Sequence, residues 1–404
     1  MINVNGKPQS EYEYIMSEGN VPLKNNLIRR IVRNVLGVFR DRLPDIMKEN
    51  YGSGKDPLQE TARENSLGEL FCRGLEEFLI SGMVVHRKRI GRIDHRPGVW
   101  TEAVSPDSFF FNTDSRDLRG WDLNIVGQVH RVEFIDWCRA FVKDRDDYRR
   151  ALRLFEGVKK VKVTEIWRRE MNPVVMVHDR KAGYVRKYGE EEAGILSGDQ
   201  RQRKWGLEEM WRYYFVGEDG TVILSGNSPY IHGEHPYVMK FYPFLDGEIH
   251  SFVGDMIDQQ RYTNRLITLY DWVIRASAKG VLLIPEDSVE PDQYQALVDQ
   301  WSRFNGVIVY KPKMGMPEPK QVNGNISNLG ISELLEIQLK MMEDVSGVNG
   351  ILRGNTSGAN VSGTLYDRQT TNAMYSLADI LDSYCSFIRD SAGRDRLLCR
   401  QNAP

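Results

Sequence analysis

Two stretches of the 404-residue chain gather residue types that often do chemistry. The first is GVNGILRGNTSGANVSGTLYDRQ, in which Gly347, Gly350, Gly354, Gly358 and Gly363 stand among Asn, Ser and Thr and lead into a helical pattern. Glycines that open a helix can cradle phosphate, because the backbone approaches closely and the first helical N–H groups face the anion. Gly358-Ala-Asn-Val-Ser-Gly363-Thr364 resembles GxxxxGK[ST] without the lysine that sets positive charge on the β- and γ-phosphates. A helical pattern, not a buried strand, precedes it, so a loose connector of small polar residues between two helices is the better reading. The second stretch is His232-Gly-Glu-His235. Zinc proteases space their ligands as HExxH on a helix, and Pro236 argues against a helix here. Backbone-bonded or surface histidines in an extended segment are therefore expected, rather than a metal site. His86, His95, His130, His178 and His250 have no partner at a telling spacing.

Further chemistry finds no foothold. There is no GxSxG elbow, and Cys72, Cys138, Cys385 and Cys399 are scattered without a CxxC pair, which argues against a disulfide framework or zinc ribbon. The acidic clusters Glu190–Glu192 and Asp144–Asp147 read as solvated loop and helix charge. No catalytic, cofactor-binding or metal-ligating residue is expected, and the chain is not read as an enzyme. Lys+Arg (54) nearly balance Asp+Glu (56), unlike a protein that binds DNA through one strongly basic face. No apolar run reaches the roughly 18–20 residues of a membrane helix, and the N-terminus is not a secretory signal, so the cytoplasm is the default compartment.

The elements that must carry these stretches fall into two styles. Val21–Arg42 and Leu67–Ile80 have helical periodicity, followed by β-like runs at Met83–Val85, Val99–Val104 and Phe109–Phe111. Phe134–Phe155 predicts a helix, Val161–Ile166, Val174–Val177 and Tyr184–Val185 short strands, and Trp211–Leu224 a hairpin turning at Gly217–Gly220. Ser228–Phe244 is aromatic and Pro-broken, an extended segment on a core. No βαβ repetition appears, so the fold class is α+β.

From Glu248 to Lys279 a long helix is predicted, about 45 Å at ~1.5 Å per residue. Gln260, Asn264 and Asp271 interrupt its apolar stripe, as suits a contact with copies of the same chain. Gly280–Pro285 and Gly306–Tyr310 read as strands around a helix at Gln293–Phe304, and the turn-rich Lys311–Gly330 leads into a second long helix with Asn328 or Ser332 as N-cap. The glycine loop follows, then a third helix from Leu365 to about Ile388.

This order resembles the portal proteins of tailed bacteriophages, the ring at one capsid vertex. Ala103–Asp122 is similar to a portal segment in which a V-x-P strand meets an aromatic and acidic turn. Ser228–Leu269 resembles the entry to the first stem helix, and Ile331–Gln369 the second stem helix with its terminal SGV, then the tunnel loop and the next helix. The resemblance implies a wing over 1–248, stem helices at 249–280 and 331–348, a clip at 281–330, a tunnel loop at 349–364, and a long wing helix with a short crown remnant at 365–404. It implies a twelve-fold ring that passes double-stranded DNA without sequence preference, in the virion, assembled in the host bacterial cytoplasm. Partners would be the terminase large subunit, major capsid and scaffolding proteins and a head–tail adaptor, with no membrane. Arg353, Asn355, Thr356, Ser357 and Asn360 would face DNA; Lys311, Lys313 and Lys320 would line the clip channel or face terminase; Gln260, Asn264 and Asp271 would lie between subunits of the stem. A conduit that lets DNA slide should not grip phosphates with many fixed cations, and the loop carries one arginine. The alternatives are another viral connector such as an adaptor, or a nucleic-acid enzyme with an unfamiliar site.

Overall fold

The computed structural model describes residues 23–54, 56–93, 96–117, 120–155, 157–179, 184–189, 201–242, 244–245, 247–279, 281–283, 295–299, 315, 320–322, 330–348 and 363–402, with 2–4, 7–9, 13 and 16 before them. The chain forms two compact units, Arg29–Asp255 with Gly347–Pro404, and Met1–Ile28 with Met256–Ser346.

Three helices begin the larger unit. α1 (Leu27–Tyr51) buries Ile31, Val32, Val35 and Phe39 on one face, as their spacing requires. It starts later than the sequence pattern and runs past Arg42, through Pro44, to the buried Tyr51. α2 (Pro57–Glu64) is capped by Asp56, whose carboxylate accepts the Leu58 N–H at 3.0 Å, with Pro57 at the first helical position. α3 (Leu67–Ser81) runs one residue past the periodic stretch and ends at Gly82, φ +75°. A Cβ there would lie 2.6 Å from Ile249 and 2.9 Å from two carbonyl oxygens, so only glycine fits.

β1 (Met83–Ile93) and β2 (Arg96–Ala103) form an antiparallel pair. A second sheet contains β3 (Phe109–Phe111), β4 (Ile125–Glu133), β5 (Lys160–Asp179), β6 (Tyr184–Gly189), β7 (Arg201–Gly217) and β8 (Val222–Asn227) in the order β8-β7-β5-β4-β3, with β6 on the far half of β5. β9 (Tyr237–Phe241) returns to pair with β1. Every pairing is antiparallel among the described residues, in keeping with an α+β fold.

Two sequence expectations are corrected here. The short runs at Val161–Ile166 and Val174–Val177 belong to one 20-residue strand, β5. Charged residues interrupt its apolar alternation, but they pair across the ladder, Arg169 with Glu209 at 3.0 Å and Arg212 with Glu170 at 3.5 Å, so the backbone pairing continues through them. The single helix expected at Phe134–Phe155 is two, α4 (Phe134–Phe141) and α5 (Arg145–Leu154). Asp144 separates them as an N-cap, accepting the N–H groups of Asp146 and Asp147 at 2.9 and 2.8 Å. The β7–β8 hairpin turns at Gly217–Gly220 as expected.

The smaller unit holds α6 (Ile257–Lys279) and α7 (Ile331–Ser346), which pack on each other, and a strand pair in which Val281–Leu283 faces Lys320–Val322. α6 begins later than Glu248 because Ser251 and Gly254 form a turn, the Gly254 N–H donating to Ser251 Oγ at 2.8 Å. Residues 295–299 are helical, within the helix expected at Gln293–Phe304, whereas Gly306–Tyr310 lies outside the described residues. The chain then returns to the larger unit as α8 (Gly363–Asn402). α8 continues well past Ile388, and those extra turns bury Ser391, Ala392, Asp395 and Leu398. No described helix is long and apolar enough to cross a membrane.

β1 lies between two cores. Met83 and Val85 join Tyr237, Met239 and Phe241 of β9 against Phe109, Val126, Trp167 and Trp211 of the second sheet. On the other face Val84, His86 and Lys88 are buried beneath α3 and α8. His86 stacks on Phe71 with ring centroids 5.7 Å apart and meets Phe387 edge-on at 5.0 Å. Burial, then the neighbouring Lys88 charge, pushes its pKa down to about 3. Lys88 Nζ meets Asp395 of α8 at 2.7 Å and also donates to Thr101 Oγ1 at 2.8 Å, while the Tyr51 hydroxyl donates to the same carboxylate at 3.0 Å. This knot joins α1, β1, β2 and α8 around one buried charge pair.

Candidate functional site

The α6–α7 pair carries the residues that the sequence assigns to contacts between copies. Gln260, Asn264 and Thr268 stand at i, i+4 and i+8 on α6, so they form one row along the helix. Within the smaller unit this row receives the segment 23–28. The Leu27 and Ile28 N–H groups donate to Gln260 Oε1 at 2.8 and 3.2 Å, the Asn25 N–H to Asn264 Oδ1 at 3.1 Å, and the Leu23 N–H to Thr268 Oγ1 at 3.2 Å. Gln260 Nε2 donates to the Asn25 carbonyl at 2.6 Å and to Asn264 Oδ1 at 3.0 Å. The first N–H groups of α1 have no partner inside their own helix, and a glutamine from elsewhere in the chain supplies one. The polar interruption of the α6 stripe thus has a role within the chain, and residues 23–28, which the sequence joined to the larger α+β part, lie with the helix pair. Thr268 was missed because a threonine in a helix carries no signal of its own.

α7 shows a buried side and an exposed apolar one. Met342 and Ser346 are buried. An adjoining stripe formed by Leu334, Ile337, Met341 and Val345 is 42–49% exposed. Spacings of three and four residues place these four on one side of the helix. On α6, Tyr262 and Tyr270 are also exposed. Four large apolar side chains in a row, open to water in a single chain, mark an interaction surface.

The histidine pair resolves as the backbone-bonded arrangement. His232 Nδ1 accepts the Glu234 N–H at 3.0 Å, and His235 Nδ1 accepts the Tyr237 N–H at 3.3 Å. Arg394 of α8 reaches both turns: Nη1 donates to His232 Nδ1 at 2.7 Å, and Nη2 pairs with Glu234 at 2.7 Å. Burial, and then the Arg394 charge, pushes both imidazoles down to about 3, so they stay neutral. A second buried cluster surrounds Glu165, which accepts from His130 Nε2 at 2.8 Å and Trp167 Nε1 at 2.8 Å and pairs with Arg87 at 3.0 Å. Burial pushes the Glu165 carboxyl up, but the His130 hydrogen bond and Arg87 charge outweigh it and hold it below its usual range. Among the described residues no group of His, Cys, Asp and Glu could hold a metal ion.

Of the remaining sequence candidates, Arg353, Asn355, Thr356, Ser357 and Asn360 lie outside the described residues, as do Lys311 and Lys313. Lys320 sits on a strand opposite Leu283, and Asp271 lies on α6 two turns beyond Asn264. The structure therefore brings Gln260 and Asn264 together.

The family model for phage P22-like portal proteins matches residues 73–395. The chain belongs to that family. The match runs from within α3 through both sheets, α6 and α7 to Asp395 on α8, so it covers both compact units of this P22-like portal protein. A portal protein is a structural component of the phage particle at a capsid vertex, and the family is not one of enzymes. No curated protein matches the chain.

Proposed function

We propose that this chain is the subunit of a ring, twelve-fold in the virion, through which double-stranded DNA is packaged and later ejected. The exposed stripe Leu334, Ile337, Met341 and Val345 on α7 carries this reading. In a ring each copy covers its neighbour's stripe by a head-to-tail contact that closes on itself. On this reading the wing comprises 1–248 and 365–404, the stem 249–280 and 331–348, the clip 281–330 and the tunnel loop 349–364. Gln260 and Asn264 then brace the stem from within each copy, and Asp271 is the polar position left for the seam. The loop residues Arg353, Asn355, Thr356, Ser357 and Asn360 face DNA with little grip, and Lys311, Lys313 and Lys320 serve the clip channel or the terminase large subunit. Major capsid and scaffolding proteins and a head–tail adaptor complete the vertex, which is built in the host bacterial cytoplasm.

Negative-stain images and mass photometry of the purified protein test the ring. Rings with a central hole are expected, and Ile337→Asp with Met341→Glu should give folded monomers. A wild-type chain that stays monomeric at every concentration, or rings unaffected by the double variant, would sink this reading.

A further inference from the structure

The larger unit contains a cleft of about 630 Å³ between α8, the β4-side loop and the turn before β9. Three guanidiniums line it, those of Arg169, Arg389 and Arg394. Two are already held in place. Arg169 pairs with Glu209 at 3.0 Å, donates to the Trp121 carbonyl at 2.9 Å and lies over the Trp211 ring at 5.4 Å. Arg394 is fixed by Glu234 and His232 at 2.7 Å each. The Arg389 guanidinium has no ion pair or hydrogen bond among the described residues. Asp390 beside it forms no ion pair among the described residues, and burial pushes its carboxyl up against the pull of Lys240, Arg389 and Arg394.

Two further observations show that the space is open. Gly393 lies inside α8, where glycine weakens a helix, yet nothing lies within 4 Å of the position its Cβ would take. No close packing explains that glycine; its effect is to leave the wall of the cleft bare. At the lip the Trp121 indole is 67% exposed. Arginine and tryptophan are the side chains most enriched where proteins bind one another tightly, since each offers a large rigid surface with a polar handle.

We propose that this cleft binds an acidic segment of another protein, with a carboxylate on Arg389 and a flanking side chain against Trp121. A guanidinium fork pairs with a carboxylate through two hydrogen bonds, and Arg389 supplies that fork, while Arg169 and Arg394, whose charges Glu209 and Glu234 offset, hold the walls in place. An indole at the lip and a cleft of this size favour a peptide side chain over a bare anion.

The test uses the full-length protein and a fluorescein-labelled hexaglutamate peptide with one central tyrosine, read by anisotropy. Saturable binding is expected, weakening as salt rises from about 50 to about 300 mM. Arg389→Glu should weaken it by roughly tenfold or more, and Trp121→Ala by a smaller factor. Gly393→Leu should block the cleft without any change of charge, while Gly393→Ala keeps the fold. Circular dichroism and particle size should match wild type in all four. No saturable binding, or equal binding by Arg389→Glu and Gly393→Leu, overturns the proposal. So does tighter competition by inorganic phosphate or a short DNA duplex, which would make this a phosphate site. Loss of rings in Arg389→Glu would instead make the occupant a second copy of the chain and overturn the assignment.

Discussion

Lys88 and Asp395, 307 residues apart in sequence, meet at 2.7 Å with neither side chain exposed. Burial lowers the lysine pKa, and the facing carboxylate is the main influence opposing it. Removing one member of such a pair leaves a charge without a partner in a dry site, at a cost of about 3–5 kcal/mol. Lys88→Met or Asp395→Asn is therefore expected to lower the unfolding free energy, measured by urea titration, by that much. Replacing both, by Lys88→Met with Asp395→Leu, should cost less than either alone. Single variants within about 1 kcal/mol of wild type would mean that the pair does not hold α8 to β1.

Acid should loosen the larger unit before carboxylates titrate. His86 and His235 have folded pKa values near 3 against an ordinary value of 6.5. Below about pH 6.5 the unfolded chain takes up protons that the folded chain refuses, so stability falls as pH drops from there towards 3. The stability lost by pH 5 is on the order of 2 kcal/mol for each of these histidines. Urea midpoints measured between pH 7 and 5 should show this slope, and His86→Leu should flatten it. An unchanged slope in that variant would place the effect elsewhere.

The bridge from α6 to residues 23–28 is separable from assembly. Gln260→Ala removes the acceptor for two N–H groups and should cost about 1–2 kcal/mol, in the range of a lost helix cap. Hydrogen exchange at Leu27 and Ile28 should quicken while the particle keeps its size. If Gln260→Ala instead abolishes rings with those amides still protected, the residue acts between copies.

Shortening Gly354–Ser362 should impair packaging or retention of DNA and leave ring formation intact. DNA content of phage particles made with the shortened protein, beside electron micrographs of its rings, checks this. Normal particles would remove the assigned role of the loop.

The sequence made the helices and the order of parts readable because their apolar periodicity is long, as in α3 and α7. Two features escaped it for physical reasons. β5 passes through Arg168, Arg169 and Glu170, and a ladder held by backbone bonds and cross-strand ion pairs does not need alternating apolar residues. The last turns of α8 look like a polar tail, since Arg394, Asp395 and Arg396 suggest solvent, yet Asp395 is buried by a lysine that lies far away in sequence. One hint was present: period two along β1 puts Lys88 on the face of Val84 and His86, where a buried lysine requires a carboxylate. The arginine of the cleft had no such hint, because 234 and 394 are joined only by the fold.

The division of the chain into its two units crosses the backbone at Ile28–Arg29, Asp255–Met256 and Ser346–Gly347. The smaller unit is thus tethered to the rest by three covalent strands in place of one. A pull along any one tether is shared by the other two, and a protease that nicks a single connection releases neither part. For the DNA conduit proposed above, which would bear the recoil of a moving genome, such redundancy would be a mechanical safeguard written into the order of its segments.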